Sequence, residues 1–357
     1  WRALALGGSI GAAESYAEGD WRCDDLVTLV RLLVRNRDLL DRMDGGLARL
    51  GAWLYDLATF GRRNTRAGSR KNIAAHYDLG NDLFGLFLDD NLMYSSAIYS
   101  ADDDDLDQAS ARKLERICQK LELGPDRHVV EIGTGWGGFA LHAAGRHGCR
   151  VTTTTISREQ HALATQRVAA AGLSDRVTVL LSDYRDLRGQ YDALVSIEMI
   201  EAVGARYLDT YMGQVSALLK PEGMAVIQAI TIEEQRYAQA ERTVDFIKKH
   251  IFPGSFIPAL RPILDSVTRA TDLKLFNLED IGPSYALTLR AWRERFSARR
   301  AQAQALGYDE RFCRLWEFYL AYCEGGFIER ALGDVQLLLT KPRCRRRQYL
   351  PDLAVAV

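Results

Sequence analysis

The sequence predicts an α/β fold with a seven-stranded, mostly parallel sheet. Three observations carry that prediction. Short β-rich runs alternate with helical patterns from residue 128 onward. Their spacing matches βαβ units. The first run, Val129-Val130-Glu131-Ile132, enters three alternating glycines at 133, 135 and 137 and continues as Gly138-Phe139-Ala140-Leu141, which reads as strand, tight turn, helix. Glycines there let backbone approach a ligand where a Cβ would collide, and the new helix presents free N–H groups to it.

The strands are expected at 128–132, 150–156, 176–181, 191–197 and 223–230, with helices between them. After the fifth strand the pattern breaks. Residues 233–280 are mixed, helical and aromatic, and are read as a helical lid insertion at the carboxyl edge of the sheet. Tyr285 to Leu289 and Val335 to Leu339 are the candidates for the last two strands. They flank a helix through Trp316, Phe318 and Tyr319.

Ahead of the sheet, residues 1–64 read as a small helical N-terminal domain, and 65–357 as the catalytic domain. Leu26, Leu29, Val30, Leu33 and Val34 fall on one helical face, with Arg31, Arg35 and Arg37 elsewhere. A buried stripe with solvated arginines is the plainer reading; a basic helix resting on a membrane is the other. Residues 61–71 form a linker whose charges are all positive, and 343–347 form a basic tail. Either can contact anionic head groups or remain solvated. The acidic run at 102–105 suits the N-terminus of the next helix, so it argues for the helix dipole and against a metal.

The chain has 357 residues, 47% hydrophobic, and a net charge of −1. No overall basic field is available for nucleic acid. Its six cysteines include no C-x-x-C pair, which argues against a zinc site or a disulfide framework and fits a reducing cytosol. No apolar run reaches the length of a membrane span, and no signal peptide is visible.

The glycine loop is E-x-G-x-G-x-G, one residue tighter than the G-x-G-x-x-G of dinucleotide folds. That pattern fits the S-adenosylmethionine (SAM) loop of Rossmann-like methyltransferases. A ligand-free turn or a divergent nucleotide loop is the alternative. Around it, Glu131, Gly133, Thr134, Gly135, Trp136 and Gly137 are cofactor candidates, with Tyr94 and Ser95 from an upstream loop. Thr155, Ile156, Ser157 and Gln160 follow the second strand; Asp183, Tyr184 and Arg185 follow the third. Gln160 can serve ribose hydroxyls, Asp183 can accept from the adenine amine, and Tyr184 can lie on its ring. Each can equally be a cap or a packing residue. After the fourth strand stands Ser196-Ile197-Glu198-Met199-Ile200-Glu201, without the N-P-P-Y of nucleic-acid amine methyltransferases. Glu198 and Glu201, three apart, are able to share one helical face and turn one carboxylate to the site; carboxylates that simply favour the dipole of a first helical turn are the alternative.

From Gly7-Gly8-Ser9-Ile10-Gly11 to Lys341-Pro342, the chain resembles cyclopropane-fatty-acyl-phospholipid synthases and mycolic acid methyltransferases. The matching pieces are Ala75-His76-Tyr77-Asp78-Leu79-Gly80-Asn81, Tyr94-Ser95, the glycine loop, Thr155-Ile156-Ser157, Ile251-Phe252-Pro253-Gly254 and Tyr322-Cys323-Glu324-Gly325-Gly326-Phe327. The resemblance implies SAM as methyl donor and a cis double bond in a phospholipid acyl chain as acceptor. It also implies a peripheral position at the inner membrane face and a homodimer through the N-terminal domain.

Aromatic faces can stabilise the resulting carbocation. Tyr94, Trp136, Tyr285, Phe318 and Tyr319 are candidates, and only a minority is expected to line the pocket. The resemblance further implies bicarbonate as proton acceptor, held at Ser96, Glu201, Gln228, Ile230 and Tyr319. Ser96 stands where the family has Cys, and Gln228 where it has His. Those departures weaken the ring-closing step more than methyl transfer, and leave a methyl- or methylene-branched product open. Cys323 is a further candidate by resemblance, with a buried structural thiol as the alternative.

Overall fold

The computed structural model describes residues 2–37, 80–100 and 105–347. Helix α1 (Arg2–Ala17, kinked at Gly8) and α2 (Leu26–Arg35) come first. The short α3 (Asn81–Gly85) and α4 (Leu106–Lys120) lead into β1 (His128–Ile132). Then come α5 (Gly138–His147), β2 (Arg150–Thr155), α6 (Arg158–Ala170), β3 (Val177–Leu181), β4 (Tyr191–Ile197), α7 (Leu208–Ala217) and β5 (Leu219–Ile232). Next are α8 (Glu234–Arg242), a π-turn at Ile247–Ile251, α9 (Leu260–Ala270), β6 (Lys274–Asp280), α10 (Gly282–Ala298), α11 (Arg300–Ala305), α12 (Glu310–Ile328) and β7 (Leu332–Thr340).

The strand order is β3-β2-β1-β4-β5-β7-β6. The first five strands in that order pair parallel, and β7 runs antiparallel to both neighbours. β1 and β4 are buried along nearly their whole length, as expected of a parallel sheet covered on both faces. One apolar cluster packs on each face. A third, rich in aromatics, joins α1, α2, α3, α10 and α12 beyond the carboxyl end of the sheet. The chain reverses its winding between β1 and β4, which opens a crevice at their carboxyl ends.

Two element assignments differ from the sequence reading. Residues 285–289 are helical, inside α10, and the outer edge strand is 274–280. The apolar run Tyr285-Ala286-Leu287-Thr288-Leu289 is too short to separate strand from helix by itself. Pro283 in the first turn of a 17-residue helix decides it. The expected insertion at 233–280 therefore contains a sheet strand. Within it α9 also packs into the sheet-side core through Ile263 and Val267, leaving residues 233–259 to cover the crevice.

Helix α2 lies on α12 at Gly325, where an added Cβ would come within 2.7 Å of Val30. Arg31 and Arg35 both pair with Glu329 at 2.6 Å. The N-terminal helices thus share a core with the C-terminal half; Tyr16, for instance, packs on Phe318. The boundary expected near residue 64, the basic linker and the His76 motif lie outside the described residues. In the basic tail, Arg346 covers the Phe276 ring. This tail continues from the end of β7, which pairs with the start of β5. It sits at the opposite edge of the sheet from the crevice.

Candidate active site

The carboxyl ends of β1, β2, β3 and β4 open into one cavity of about 1630 Å³. The glycine loop forms its floor on one side. Gly133, Gly135 and Gly137 have φ of 100°, 52° and 88°, values that disfavour any side chain. A Cβ built on Gly135 meets nothing within 4 Å, so this position faces open cavity. Gly137 does not line the cavity; its Cβ position faces Ala164 of α6, so it serves the turn and helix packing.

Glu131, just before the glycines, is buried, and its Oε2 has no partner. Burial pushes its carboxyl up to about 8. An unpartnered buried carboxyl beside an open glycine cradle suits a cationic amino-acid head. The residues present therefore fit SAM, which brings a sulfonium-activated methyl group when bound. The rest of the rim is local. Ser157 caps α6 by accepting from Gln160 N and is not part of the lining. The Gln160 side chain accepts from Thr155 Oγ1 at 2.8 Å. Asp183 pairs with Arg185 at 2.7 Å, and Arg185 lies over the Tyr184 ring. Thr155, Ile156, Gln160, Asp183, Tyr184 and Arg185 all line the cavity, as do Tyr94 and Ser95. Trp136 lines it too; its indole N–H donates to Asn81 Oδ1 and its ring packs on Phe84.

The far wall is apolar and aromatic. Tyr94 and Tyr319 hydroxyls lie 2.8 Å apart. Tyr94 stacks on Trp292, and Phe252 of the covering segment meets Tyr94 and Tyr319. Leu29, Leu33 and Val34 of α2 complete this wall. Trp136, Tyr94, Tyr285, Phe318 and Tyr319 all line the cavity, where only a minority was expected. They are drawn together from one core cluster that the sequence order conceals.

The five positions of the implied anion site divide. Glu201, Ile230 and Tyr319 line the cavity. Ser96 and Gln228 are fully buried behind the wall. Ser96 Oγ donates to Ala97 O, and the Gln228 amide donates to Glu198 at 2.8 Å and Asp334 at 3.0 Å. Cys323 lines the cavity too, but burial pushes its thiol up, which keeps it protonated.

Glu198 and Glu201 do not share a helical face. A 3-10 turn, Ile200–Ala202, stands after β4 where a longer helix was expected. Glu198 precedes it with φ of 47°, a left-handed conformation uncommon for this residue type. It is fixed there by its N–H donating to Gln228 O. Both residues still line the cavity. Glu201 Oε1 accepts from Ile230 N at 2.6 Å, Oε2 has no partner, and burial pushes the group up to about 8.

Sequence reasoning missed the polar row behind the wall. Strand register sets Gln228 opposite Gln336, and Gln336 opposite Glu279. Gln336 donates to Gln228 Oε1 and accepts from Lys120 Nζ, which pairs with Glu279. Asp334 and Lys113 are also fully buried here, with Lys113 donating to Ser95 Oγ. Lys113 left a trace: it interrupts the buried face of α4 between Ser110 and Leu114.

Away from the cavity, Cys118, His142 and His147 bring ligand atoms within 4.8 Å of one another. The spacing rule for cysteines did not anticipate this, since the residues come from two helices. Glu115 Oε2 already lies 3.2 Å and 3.0 Å from the two imidazoles.

A parallel sheet with this strand order, a glycine cradle and an acid before it define a SAM-dependent methyltransferase. The profile of the mycolic acid cyclopropane synthetase family matches residues 64–337. Tuberculostearic acid methyltransferase of Mycobacterium tuberculosis is 41% identical over 95% of this chain and 81% of its own. Cyclopropane-fatty-acyl-phospholipid synthase of Escherichia coli K12 is 39% identical over 92% and 82%. Among solved structures, the cyclopropane synthase MmaA2 from Mycobacterium tuberculosis aligns with a TM-score of 0.71 at 26% identity, covering 76% of this chain and 98% of that one. The mycolic acid cyclopropane synthase CmaA1, complexed with SAH and CTAB, gives 0.71 at 28%, with the same coverage. The chain belongs to the cyclopropane-fatty-acyl-phospholipid synthase family and is a SAM-dependent C-methyltransferase.

Proposed function

We propose that the chain transfers the SAM methyl group to the cis double bond of an unsaturated fatty acyl chain on a membrane phospholipid, closing a cyclopropane ring. The observation that carries this is the single cavity joining the glycine cradle to an aromatic chamber. At about 1630 Å³ it exceeds the roughly 300–1,000 Å³ of a one-ligand pocket, leaving room for an acyl chain beside the cofactor. An alkene needs no deprotonation before attack, so alignment and exclusion of water are the main demands. The aromatic wall can face the developing cation.

A methyl- or methylene-branched product from the same substrate is the second reading. Commitment of the Gln228 amide to Glu198 and Asp334 favours it, because that amide is no longer free to hold bicarbonate. Bicarbonate remains the proton acceptor that the family resemblance suggests. Reversible docking at the inner membrane face, and a homodimer, belong to the same reading. A noncatalytic lipid-binding role would show no SAM turnover.

The test is incubation with SAM and vesicles of a cis-monounsaturated phospholipid. Proton NMR of the product separates high-field ring methylene signals from vinylic ones. Absence of any methylated lipid overturns the reading.

A further inference from the structure

A second place in the molecule gathers reactive side chains that methyl transfer does not use. It lies between α4 and α5, and none of its residues lines the cavity. Glu115 and Cys118, three apart near the end of α4, share one helical face. His142 stands in the second turn of α5, and His147 is its last residue. One ligand atom from each of Cys118, His142 and His147 lies within 4.8 Å of the other two. Glu115 Oε2 lies 3.2 Å from His142 Nε2 and 3.0 Å from His147 Nε2. Gln119 donates to the other oxygen, Glu115 Oε1, at 2.9 Å and so holds the carboxylate in this orientation.

A buried thiol alone is a packing group. Here two imidazoles from the next helix and a carboxylate from its own helix converge beside it, which makes a donor set. Around a tetrahedral zinc, bonds of about 2.0–2.1 Å to nitrogen or oxygen and about 2.3 Å to sulfur set neighbouring ligand atoms about 3.3–3.6 Å apart. The carboxylate–imidazole contacts are already close to that spacing. The 4.8 Å bound on the remaining pairs exceeds it by little more than about 1 Å, a distance that small side-chain rotations cover. Charge also fits. A thiolate and a carboxylate bring two negative charges and the imidazoles none, so a divalent ion leaves the site neutral, as a largely buried place requires. The thiol gives its proton to solvent when the ion binds. Sulfur and imidazole donors select zinc over magnesium or calcium, which prefer oxygen. Cys118 is fully buried and the His142 side chain is 6% exposed, whereas those of His147 and Glu115 are 20% and 33% exposed. The ion thus has a dry inner pair of ligands and an outer pair through which it enters.

We propose that Cys118, His142, His147 and Glu115 form a structural zinc site that ties α4 to α5. With four protein ligands the ion keeps no open position and does no chemistry of its own. Helix α5 is the one that the glycine loop opens into, and α4 carries Lys113, which donates to Ser95 at the cavity. The ion therefore braces two helices that lead to the cofactor side while staying out of it. Zinc binding here is independent of which lipid product forms.

The test uses the untagged full chain, stripped with a chelator and titrated with zinc and, separately, with cobalt. Wild type should take up one zinc per chain, and zinc should raise its melting temperature. Cobalt should give the visible bands of a tetrahedral ion and the charge-transfer band of a cobalt–thiolate bond. Cys118→Ser should lose the charge-transfer band, while Cys323→Ser and Cys344→Ser keep it. Because Cys118 packs in the core, His147→Gln at the end of α5 supplies a second variant that keeps the fold. It should weaken zinc at least ~100-fold, the upper end of what loss of an outer-shell partner costs, and its melting temperature should no longer respond to zinc. No zinc retained by wild type, a thiolate band that survives Cys118→Ser, or a His147→Gln variant that binds zinc as wild type does, overturns the site while leaving lipid methylation standing.

Discussion

The two sides of the cavity are built on different principles. The cofactor side is a set of turns at successive strand ends, each held by bonds between neighbours in sequence. Ser157 accepts from Gln160 N, Asp183 pairs with Arg185, and Thr155 donates to the Gln160 side chain. The acyl side is assembled from distant pieces. Tyr94 meets Tyr319, Ser96 N meets Glu198, Tyr285 meets Glu198, and α2 seats on Gly325. Local turns tolerate loss of a remote element, whereas a wall of long-range contacts fails together.

The widest separation should come from Gly135→Val. A branched side chain there projects into the cavity, so SAM affinity should fall at least ~100-fold, measured by calorimetry on a folded variant. Undamaged affinity would detach the cofactor from this loop. Gly325→Leu strikes the other side. Forcing a side chain against Val30 should cost about 1–3 kcal/mol, read as a lower melting temperature and slower lipid turnover, with SAM affinity retained. Equal loss of SAM affinity would mean that the two sides are not separable.

Titration offers a finer comparison. Glu131 has its pKa raised to about 8 in the free protein, and a cationic ligand lowers it. SAM binding should therefore release a proton, and affinity should weaken as pH falls below 8, by at most about tenfold per unit. Calorimetry in buffers of different ionisation heat detects that proton; none released would show that Glu131 does not sense the ligand. The smallest effect concerns stability. Glu201 is also raised to about 8 when folded, above its unfolded value. The native state then binds more protons than the unfolded chain in the interval between, so stability falls as pH rises from about 4.5 to 8. Glu201→Gln should flatten part of that slope in melting temperatures, and an unchanged slope would assign it to Asp334 and Glu198 instead.

The same contrast explains what was legible in the sequence. The strands from β1 to β5 and the glycine loop could be read because periodicity and turn chemistry are local. Asp183 and Gln160 could be placed because each lies within a few residues of a strand's carboxyl end. Glu198 and Glu201 were singled out as a pair, but their geometry was misjudged; nothing local announces a left-handed residue at a strand end. Asp334 and Gln336 were invisible, because register across β5, β7 and β6 brings them to the site, and Lys113, brought by helix packing, left only a break in the buried face of α4. The last two strands were difficult for a related reason. Tyr285 to Leu289 and Leu275 to Leu278 are both short and mostly apolar, so periodicity does not separate them, and Pro283 ahead of the first is the local sign that it is helical.

The position of β7 also orders the birth of the molecule. It lies between β5 and β6, yet it is the last strand to be synthesised. Until it emerges, β6 has no sheet neighbour, and Gln228 occupies an open edge. A nascent chain halted before residue 332 could already hold five parallel strands with the glycine loop among them. It would lack Asp334 and Gln336, and with them the inner support of Glu198. The molecule thus completes the sheet around its glycine loop before it completes the buried polar row behind the cavity wall.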